Sequence, residues 1–268
     1  RCLVGSEMCI RDRIDISILK DLGYDVLLSN RIFDSLLFWK YDILFSYFYR
    51  YSFFAALLAK CFGKKTYFTG GIDSLDSDYA SAFNYKIQAL FFKLCYWVAD
   101  SCIIVSQSDL KNIFKVSSLK KKLSYSEHVI NTKLFIADVP KEKIFTSIVW
   151  MGDEGNVVRK GVDKALQIFA ELKKIPEFVD YRFVIIGRKG EGEVLVRSII
   201  DKYNLKGSVE LKGEVSEEDK INLLKQSKYY FQLSLYEGFG LAALEALCAN
   251  NIIIHSGKGG LANPCLLY

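Results

Sequence analysis

Glu237-Gly238-Phe239-Gly240-Leu241-Ala242-Ala243-Leu244-Glu245-Ala246-Leu247 decides how this 268-residue chain is read. Two carboxylates have seven residues between them, joined by a Gly-aromatic-Gly turn that opens a helix over 241–249. Every face of that helix is apolar except at Glu245, and a helix apolar all round is a buried one. A buried carboxylate is costly without a hydrogen-bonding partner. No basic residue lies one turn away, so a ligand carrying hydroxyls is the expected partner. Gly238 and Gly240 let the backbone turn sharply and approach the same ligand, and the first N–H groups of the new helix suit an anion. The plainer reading is a strand-to-helix turn with one surface Glu and one carboxylate favoured by the helix dipole.

Outward from this stretch, short β-branched runs alternate with helical periods. Strands are expected over 25–29, 42–46, 65–69 and 101–105, each short and without alternation, as when both sheet faces are covered. Helices are expected over 51–62 and 79–98. A break follows, with Lys120, Lys121 and Lys122 in a basic stretch and Pro140 beyond it. The alternation restarts with strand 148–151, a turn at Gly152, helix 162–174, strand 182–186 and the loop Gly187-Arg188-Lys189-Gly190-Glu191-Gly192. Helix 194–203, strand 209–211, helix 217–226, strand 230–235, the 241–249 helix and strand 251–255 complete it. Such alternation implies parallel, doubly wound sheets. Two runs of it imply an α/β protein of two Rossmann-like domains with a cleft between them. Ligands in such sheets bind beyond the carboxyl ends of the strands.

The 237–247 stretch closely resembles the E-x7-E signature of family-4 (group 1) retaining glycosyltransferases, whose GT-B architecture pairs two Rossmann-like domains. The resemblance extends over nearly all of 14–263. It implies that Glu237 lies by the donor sugar as a catalytic residue and that Glu245 binds the ribose hydroxyls of the nucleotide. Gly238, Phe239, Gly240 and Leu241 then line the donor site. Residues 152–161 resemble the family's G-R-x-x-x-K-G loop, in which Arg and Lys hold the donor diphosphate. Lys160 and Gly161 match; the Arg position is Asp153, and Arg159 is the neighbour able to substitute. A cation is needed there because the leaving nucleoside diphosphate gains charge, although Lys160 read alone is equally a solvated loop lysine. Gly213 matches the glycine that lets the backbone read the nucleotide base. The 187–192 loop resembles a G-x-G segment, a weak signal alone, and Gly259-Gly260-Leu261 resembles the segment after the motif helix.

On the amino-terminal side the resemblance is thinner. Residues 127–135 resemble the family's P-N-G-V-D-x-x-x-F segment, with Val129 and Asn131 in place of its Gly and Asp. The loop 68–73 corresponds to one that faces the acceptor, where many relatives carry His and this chain has Gly71. Asp73 is the remaining polar candidate for a catalytic role on that side, its plainer role being a helix cap or turn. His128 and His255 each stand alone and read as structural.

The two ends read differently from the rest. Cys2 to Arg13 (CLVGSEMCIRDR) resembles a translated sequencing adapter, and Cys265 to Tyr268 (CLLY) the reverse strand of the same adapter. Arg1 and Pro264 are junction residues. The expected organisation is an acceptor-side domain over 14–142 that lacks its first strand, and a truncated nucleotide-sugar domain over 143–264. Both domains are then incomplete, with 1–13 and 265–268 outside the fold. The net charge of +5 includes +1 from residues 1–13, which leaves +4. Of seven cysteines, Cys61, Cys95, Cys102 and Cys248 remain, all in apolar segments that suit buried free thiols in a reducing cytoplasm.

A hydrophobic content of 51% suffices for a sizeable core. The greasiest region, 87–105, is broken by Lys93 and Asp100 and falls short of the ~20 apolar residues of a spanning helix. No G-x-G-x-x-G follows a first strand in 14–263, which disfavours an NAD-type dehydrogenase. The expected activity is hexosyl transfer with retention from a nucleoside-diphosphate sugar to an acceptor hydroxyl. No cofactor is expected and the reaction is expected to be metal-independent. The resemblance implies a glycan or lipid-linked acceptor of cell-surface polysaccharide or glycolipid synthesis, and no role for nucleic acid is expected. The expected setting is cytoplasmic, and the resemblance implies peripheral contact at the inner membrane face, which the lysines at 120–122 would favour. A non-catalytic nucleotide-sugar or glycan-binding protein of the same fold is the alternative that Asp153 and Gly71 favour.

Overall fold

The computed structural model describes residues 2–5, 10–29, 37–47, 49–70, 75–76, 80–116, 120–136 and 138–262. The chain forms two α/β units, Arg1–His128 and Val129–Tyr268. The first runs β1 (Cys2–Gly5), α1 (Ile10–Asp21), β2 (Val26–Ser29), β3 (Ile43–Tyr47), α2 (Tyr49–Cys61) and β4 (Lys65–Thr69). It continues with α3 (Ala82–Val98), β5 (Ser101–Ile104), α4 (Gln107–Val116) and β6 (Leu123–Tyr125). Its strands pair in parallel in the order β2-β1-β3-β4-β5-β6.

The short uniform runs form strands because helices cover them. Leu44, Phe68, Cys102 and Ile104 are buried with Tyr49, Phe92 and Cys95. The Tyr49 ring stacks on Phe68 at 5.5 Å and tilts against Phe92 at 5.1 Å. Helix α3 starts three residues later than the periodicity predicts, because the Ser81 hydroxyl accepts from the Asn84 N–H and caps it. The basic break at 120–122 adjoins an unpredicted edge strand, β6. Lys122 is tied down there, its Nζ donating to the carbonyls of Tyr96 at 3.2 Å and Trp97 at 2.9 Å. Such a cation answers the exposed carbonyls at the end of α3.

Cys2–Gly5 does not lie outside the fold. It pairs in parallel with β2 through Leu3–Leu27 and Val4–Leu28, and with β3 through Leu3–Leu44 and Val4–Phe45. The slot expected to lack its first strand is filled, because a short apolar run can satisfy the backbone groups of the strands on both sides of it. Cys61 also departs from expectation: it sits exposed at the end of α2, whereas Cys95 and Cys102 are buried.

The second unit runs β7 (Glu142–Ile148), α5 (Glu154–Lys160), α6 (Val162–Leu172), β8 (Arg182–Ile186), α7 (Glu193–Lys202) and β9 (Val209–Gly213). It ends with α8 (Glu217–Gln226), β10 (Ser227–Gln232), α9 (Leu241–Cys248) and β11 (Ile252–His255). The sheet is parallel in the order β11-β10-β7-β8-β9. Strand β7 begins six residues before the predicted run, since its charged first residues lie at the open end and only Ile144 to Ser147 are fully covered. Strand β10 likewise begins and ends three residues early. Phe145 anchors the core, stacking on Tyr229 at 4.6 Å and on Phe231 at 5.1 Å. Phe135 packs into this unit's core beside Leu224 and Tyr230. Lys141 reaches across to donate to the carbonyls of Leu224, Lys225 and Ala249, closing the ends of α8 and α9.

Candidate functional site

The carboxyl ends of β7, β8 and β10 in the second unit carry the residues that the sequence singles out. After β7 the chain stays extended against β8, with Val149 N donating to Ile186 O and Met151 N to Arg188 O, both at 2.9 Å. Asp153 then caps helix α5, its carboxylate accepting from Asn156 N at 2.6 Å. A helix thus replaces the expected loop, and the residue in the family's Arg position is its cap. Arg159 sits in the last turn, its Nε and Nη2 donating to Asn156 Oδ1 at 3.2 and 2.8 Å. It is held by its own helix.

Gly161 adopts φ +68, and a Cβ there would fall 2.1 Å from the Leu233 carbonyl oxygen. Leu235 N donates to Arg159 O at 2.8 Å. Only glycine permits this close approach of α5 to the chain leaving β10. The approach delivers Lys160 to Glu237, with Nζ 2.5 Å from Oε1. The same carboxylate oxygen accepts from Ser234 Oγ at 2.7 Å and from Gln232 Nε2 at 2.8 Å. Tyr230 continues the chain by donating to Gln232 Oε1 at 3.0 Å, and accepts from Ile148 N at 3.3 Å. Burial pushes the Tyr230 hydroxyl pKa up, so it stays a donor. Sequence reasoning missed Tyr230, Gln232 and Ser234. Their signal is three polar groups at alternate positions of an otherwise buried strand and its extension, all facing one way.

Gly240 adopts φ +88 at the start of α9, a conformation open to glycine. A Cβ on Gly238 would meet nothing within 4 Å, so the backbone borders open space. Gly260 N donates to Glu237 O at 2.5 Å, and a Cβ on Gly259 would fall 2.2 Å from that oxygen. The 259–261 segment therefore braces the motif turn, while Leu261 is buried with Ala243 and Ala246. Phe239 is buried and Leu241 half-buried. Gly213, at φ +78, accepts at its carbonyl from Gly187 N at 2.8 Å, which joins the 187–192 loop to the end of β9. His255 Nδ1 accepts from Gly257 N at 3.2 Å.

Glu245 corrects the sequence reading. It is 2% exposed and has a protein partner: Lys220 Nζ lies 2.9 Å from each carboxylate oxygen. Lys220 also pairs with Glu217 at 2.6 Å. The partner was invisible to a one-turn search because it comes from α8, which packs against α9. Burial raises the Glu245 pKa, and the Lys220 charge opposes the rise. Glu237 and Glu245 thus occupy separate polar clusters, one around Lys160 and one around Lys220. Asp73 and Gly71 fall outside the described residues. Among the described residues no group of three or more His, Cys, Asp or Glu side chains could hold a metal ion, and no helix is long and apolar enough to cross a membrane.

Residues 155–263 match the family model of glycosyl transferases, group 1. A human phosphatidylinositol N-acetylglucosaminyltransferase subunit is 30% identical over 105 residues, 39% of this chain and 21% of that protein. The GDP-mannose:cellobiosyl-diphosphopolyprenol alpha-mannosyltransferase of Xanthomonas oryzae pv. oryzae is 36% identical over 101 residues, 37% of this chain and 26% of that protein. The chain spans about a quarter of the length of these curated relatives. Anabaena HepE, solved with UDP and glucose, superimposes with a TM-score of 0.72 at 14% identity, over 97% of this chain and 82% of its own. S. aureus TarM, solved as a point mutant with Fondaparinux, alpha-GlcNAc-glycerol and UDP, gives 0.67 at 17% identity, over 82% of this chain and 42% of its own. These two likenesses speak for the fold: two Rossmann-like α/β domains with parallel sheets, as in GT-B glycosyltransferases. The matched family model and the curated relatives support a group 1 glycosyltransferase.

Proposed function

We propose that this chain moves a hexose-type sugar from a nucleoside diphosphate to an acceptor hydroxyl with retention at the anomeric carbon. The contact between Lys160 Nζ and Glu237 Oε1, at 2.5 Å beside the open backbone of Gly238, carries the reading. As the bond from the anomeric carbon to the diphosphate oxygen breaks, the leaving phosphate gains negative charge and the sugar positive charge. Lys160 stabilises the first and Glu237 the second. Without donor, the two neutralise each other. Donor binding then transfers Lys160 from Glu237 to the diphosphate and leaves the carboxylate by the sugar, so no metal is needed to carry that charge. Glu245 has lone pairs beyond those that Lys220 uses, which suits it to nucleotide hydroxyls.

HepE was solved with UDP and glucose, and the Xanthomonas relative is named for GDP-mannose and a polyprenol-linked acceptor. These support a nucleotide-sugar donor and a glycan or lipid-linked acceptor in cell-surface polysaccharide or glycolipid synthesis. They also suit a protein on the cytoplasmic side of the membrane, in peripheral contact with it. One observation favours a second reading, a binder without catalysis. Asp153 caps a helix where the family has Arg, and Arg159 is tied to Asn156, which leaves one cation where the family uses two.

Calorimetry with UDP, GDP, ADP and their sugars, alongside a transfer assay in EDTA, tests both readings. Glu237→Gln is expected to keep nucleotide affinity and remove transfer. Glu245→Gln is expected to lose ~2 kcal/mol of nucleotide affinity, the scale of a hydrogen bond to a charged group. Equal losses of bare nucleotide affinity in both variants would break the assignment, and nucleotide binding with no transfer by the unsubstituted chain would favour the binder.

A further inference from the structure

We propose that the outer face of α3 in the first unit is a docking surface for an anionic lipid bilayer. Phe83, Leu90 and Trp97 recur every seven residues along this helix and are 72%, 55% and 72% exposed. Lys86 and Lys93 stand between them, also exposed. The five residues at 83, 86, 90, 93 and 97 are spaced three and four apart, so they form one stripe, about 21 Å long at 1.5 Å per residue. The opposite side of α3 is committed to the core through Phe92, Cys95, Tyr96 and Val98. Helix α2 packs beside it through Phe53 and Phe91, with ring centroids 6.2 Å apart, and leaves Phe54 exposed as well.

The charge pattern selects the occupant. Helices α2 and α3, of 13 and 17 residues, contain no Asp or Glu, although 31 acidic residues are spread through the chain. Their charged residues are Arg50, Lys60, Lys86 and Lys93. Against a second copy of this helix, the stripe would bury lysines opposite lysines with no carboxylate to pair them. At a bilayer surface the same lysines lay their stems along the apolar side chains and hold their ammonium groups among lipid phosphates. Trp97 suits the interface between headgroups and acyl chains, and a basic, aromatic helix face lies in that plane. The basic stretch that the sequence suggested for this contact is a poorer candidate, because Lys122 is spent on the carbonyls of Tyr96 and Trp97. The inference rests on surface chemistry alone. It gives a location to the membrane contact proposed above and does not depend on the transfer reaction.

Flotation of the whole chain with phosphatidylcholine vesicles, with and without phosphatidylglycerol, tests it. Binding is expected only with phosphatidylglycerol and is expected to weaken in high salt. Phe83→Ser/Leu90→Ser/Trp97→Ser should abolish it, and Lys86→Glu/Lys93→Glu should weaken it about tenfold or more. All five positions are exposed, so both variants should keep their circular dichroism and their nucleotide affinity. In a Trp39→Phe/Trp150→Phe background, Trp97 emission should shift to the blue on vesicles and be quenched by lipids with brominated chains. No flotation at low salt, or flotation with Trp97 unquenched, would overturn the proposal. So would self-association that the triple-serine variant abolishes, which would assign the face to a second copy. Nucleotide affinity measured on the same samples separates failure of this surface from failure of the proposed donor site.

Discussion

The two units are both parallel α/β sheets, with different strand orders, and they spend their polar groups differently. In the first, the core is sealed by aromatic rings and thiols. Burial pushes the Cys102 thiol pKa up to about 12 and raises that of Cys95 as well, so neither is a nucleophile at neutral pH. In the second, a whole ion pair goes inside. Lys220 and Glu245 are 4% and 2% exposed, and Glu237 gathers three donors on one oxygen. Burying an ion pair seldom adds stability over a well-packed apolar pair. The first unit also buries a carboxylate, Asp109 of α4, at 2% exposed, but the second buries a carboxylate together with a lysine that pairs with it, in the unit that carries the glycine turn of the candidate donor site. The contrast teaches that the candidate site is marked by lysine–glutamate pairs drawn into the protein rather than by the parallel α/β layering that both units have.

The largest test of the contrast is whether the first unit owns its sheet. Cys2–Gly5 pairs with a strand on each side, so deleting residues 1–13 leaves β2 and β3 with unpaired edges in the sheet interior. The first unit is expected to lose its cooperative melting, while the second keeps its own. Scanning calorimetry of the shortened chain reads both transitions. An unchanged first transition would restore the reading of 2–13 as an adapter and remove β1 from the fold.

Next in size is the buried pair of the second unit. Lys220→Met leaves Glu245 desolvated and uncompensated, with an expected loss of about 3–5 kcal/mol. Lys220→Met/Glu245→Leu should recover most of that loss in urea denaturation while still failing to bind nucleotide tightly. A single variant as stable as the parent would mean that water reaches Glu245, and the contrast between the units would then shrink to a matter of degree.

How much of this was legible follows from the range of each interaction. The strand–helix alternation, the parallel sheets and the turn at Gly238 to Gly240 are local patterns, and the sequence carries them openly. Asp153 as a helix cap is equally local but was hidden by the expectation of a loop: a carboxylate three residues before Asn156 accepts its N–H and starts a helix. Lys220 could not be found by spacing, since 25 residues and a change of helix separate it from Glu245. The pairing of Lys160 with Glu237 spans 77 residues and depends on Gly161 letting α5 approach Leu233. The resemblance named both partners and could not show that they meet. Cys61 was misread because an apolar neighbourhood in sequence ends where a helix ends.

The smallest expected effect distinguishes the units by pH. Burial alone would raise the Asp100 pKa, but the N–H of Thr66, the ion pair with Lys60 and the charge of Lys65 outweigh it and hold the carboxyl below its usual range. A carboxyl held low in the folded state adds stability above its unfolded pKa, and that stability is lost as pH falls through the folded value. Glu245 runs the other way. Its folded pKa lies above the usual 4.5. The folded state therefore holds that proton more tightly than the unfolded one, and stability rises as pH falls from the raised value toward 4.5. Acidification from neutrality should first leave the first unit unchanged and strengthen the second slightly. Only below the usual aspartate value of 3.8 should the first unit weaken through Asp100. Urea midpoints followed at Trp97 for the first unit and Trp150 for the second would resolve the two trends. Asp100→Asn should flatten the acid limb of the first unit by no more than ~1 kcal/mol, the scale of a partly exposed ion pair. If the midpoints of both units fall together from neutral pH, then Glu245 is ionised with no penalty, and the pair with Lys220 is a solvated contact rather than a buried one.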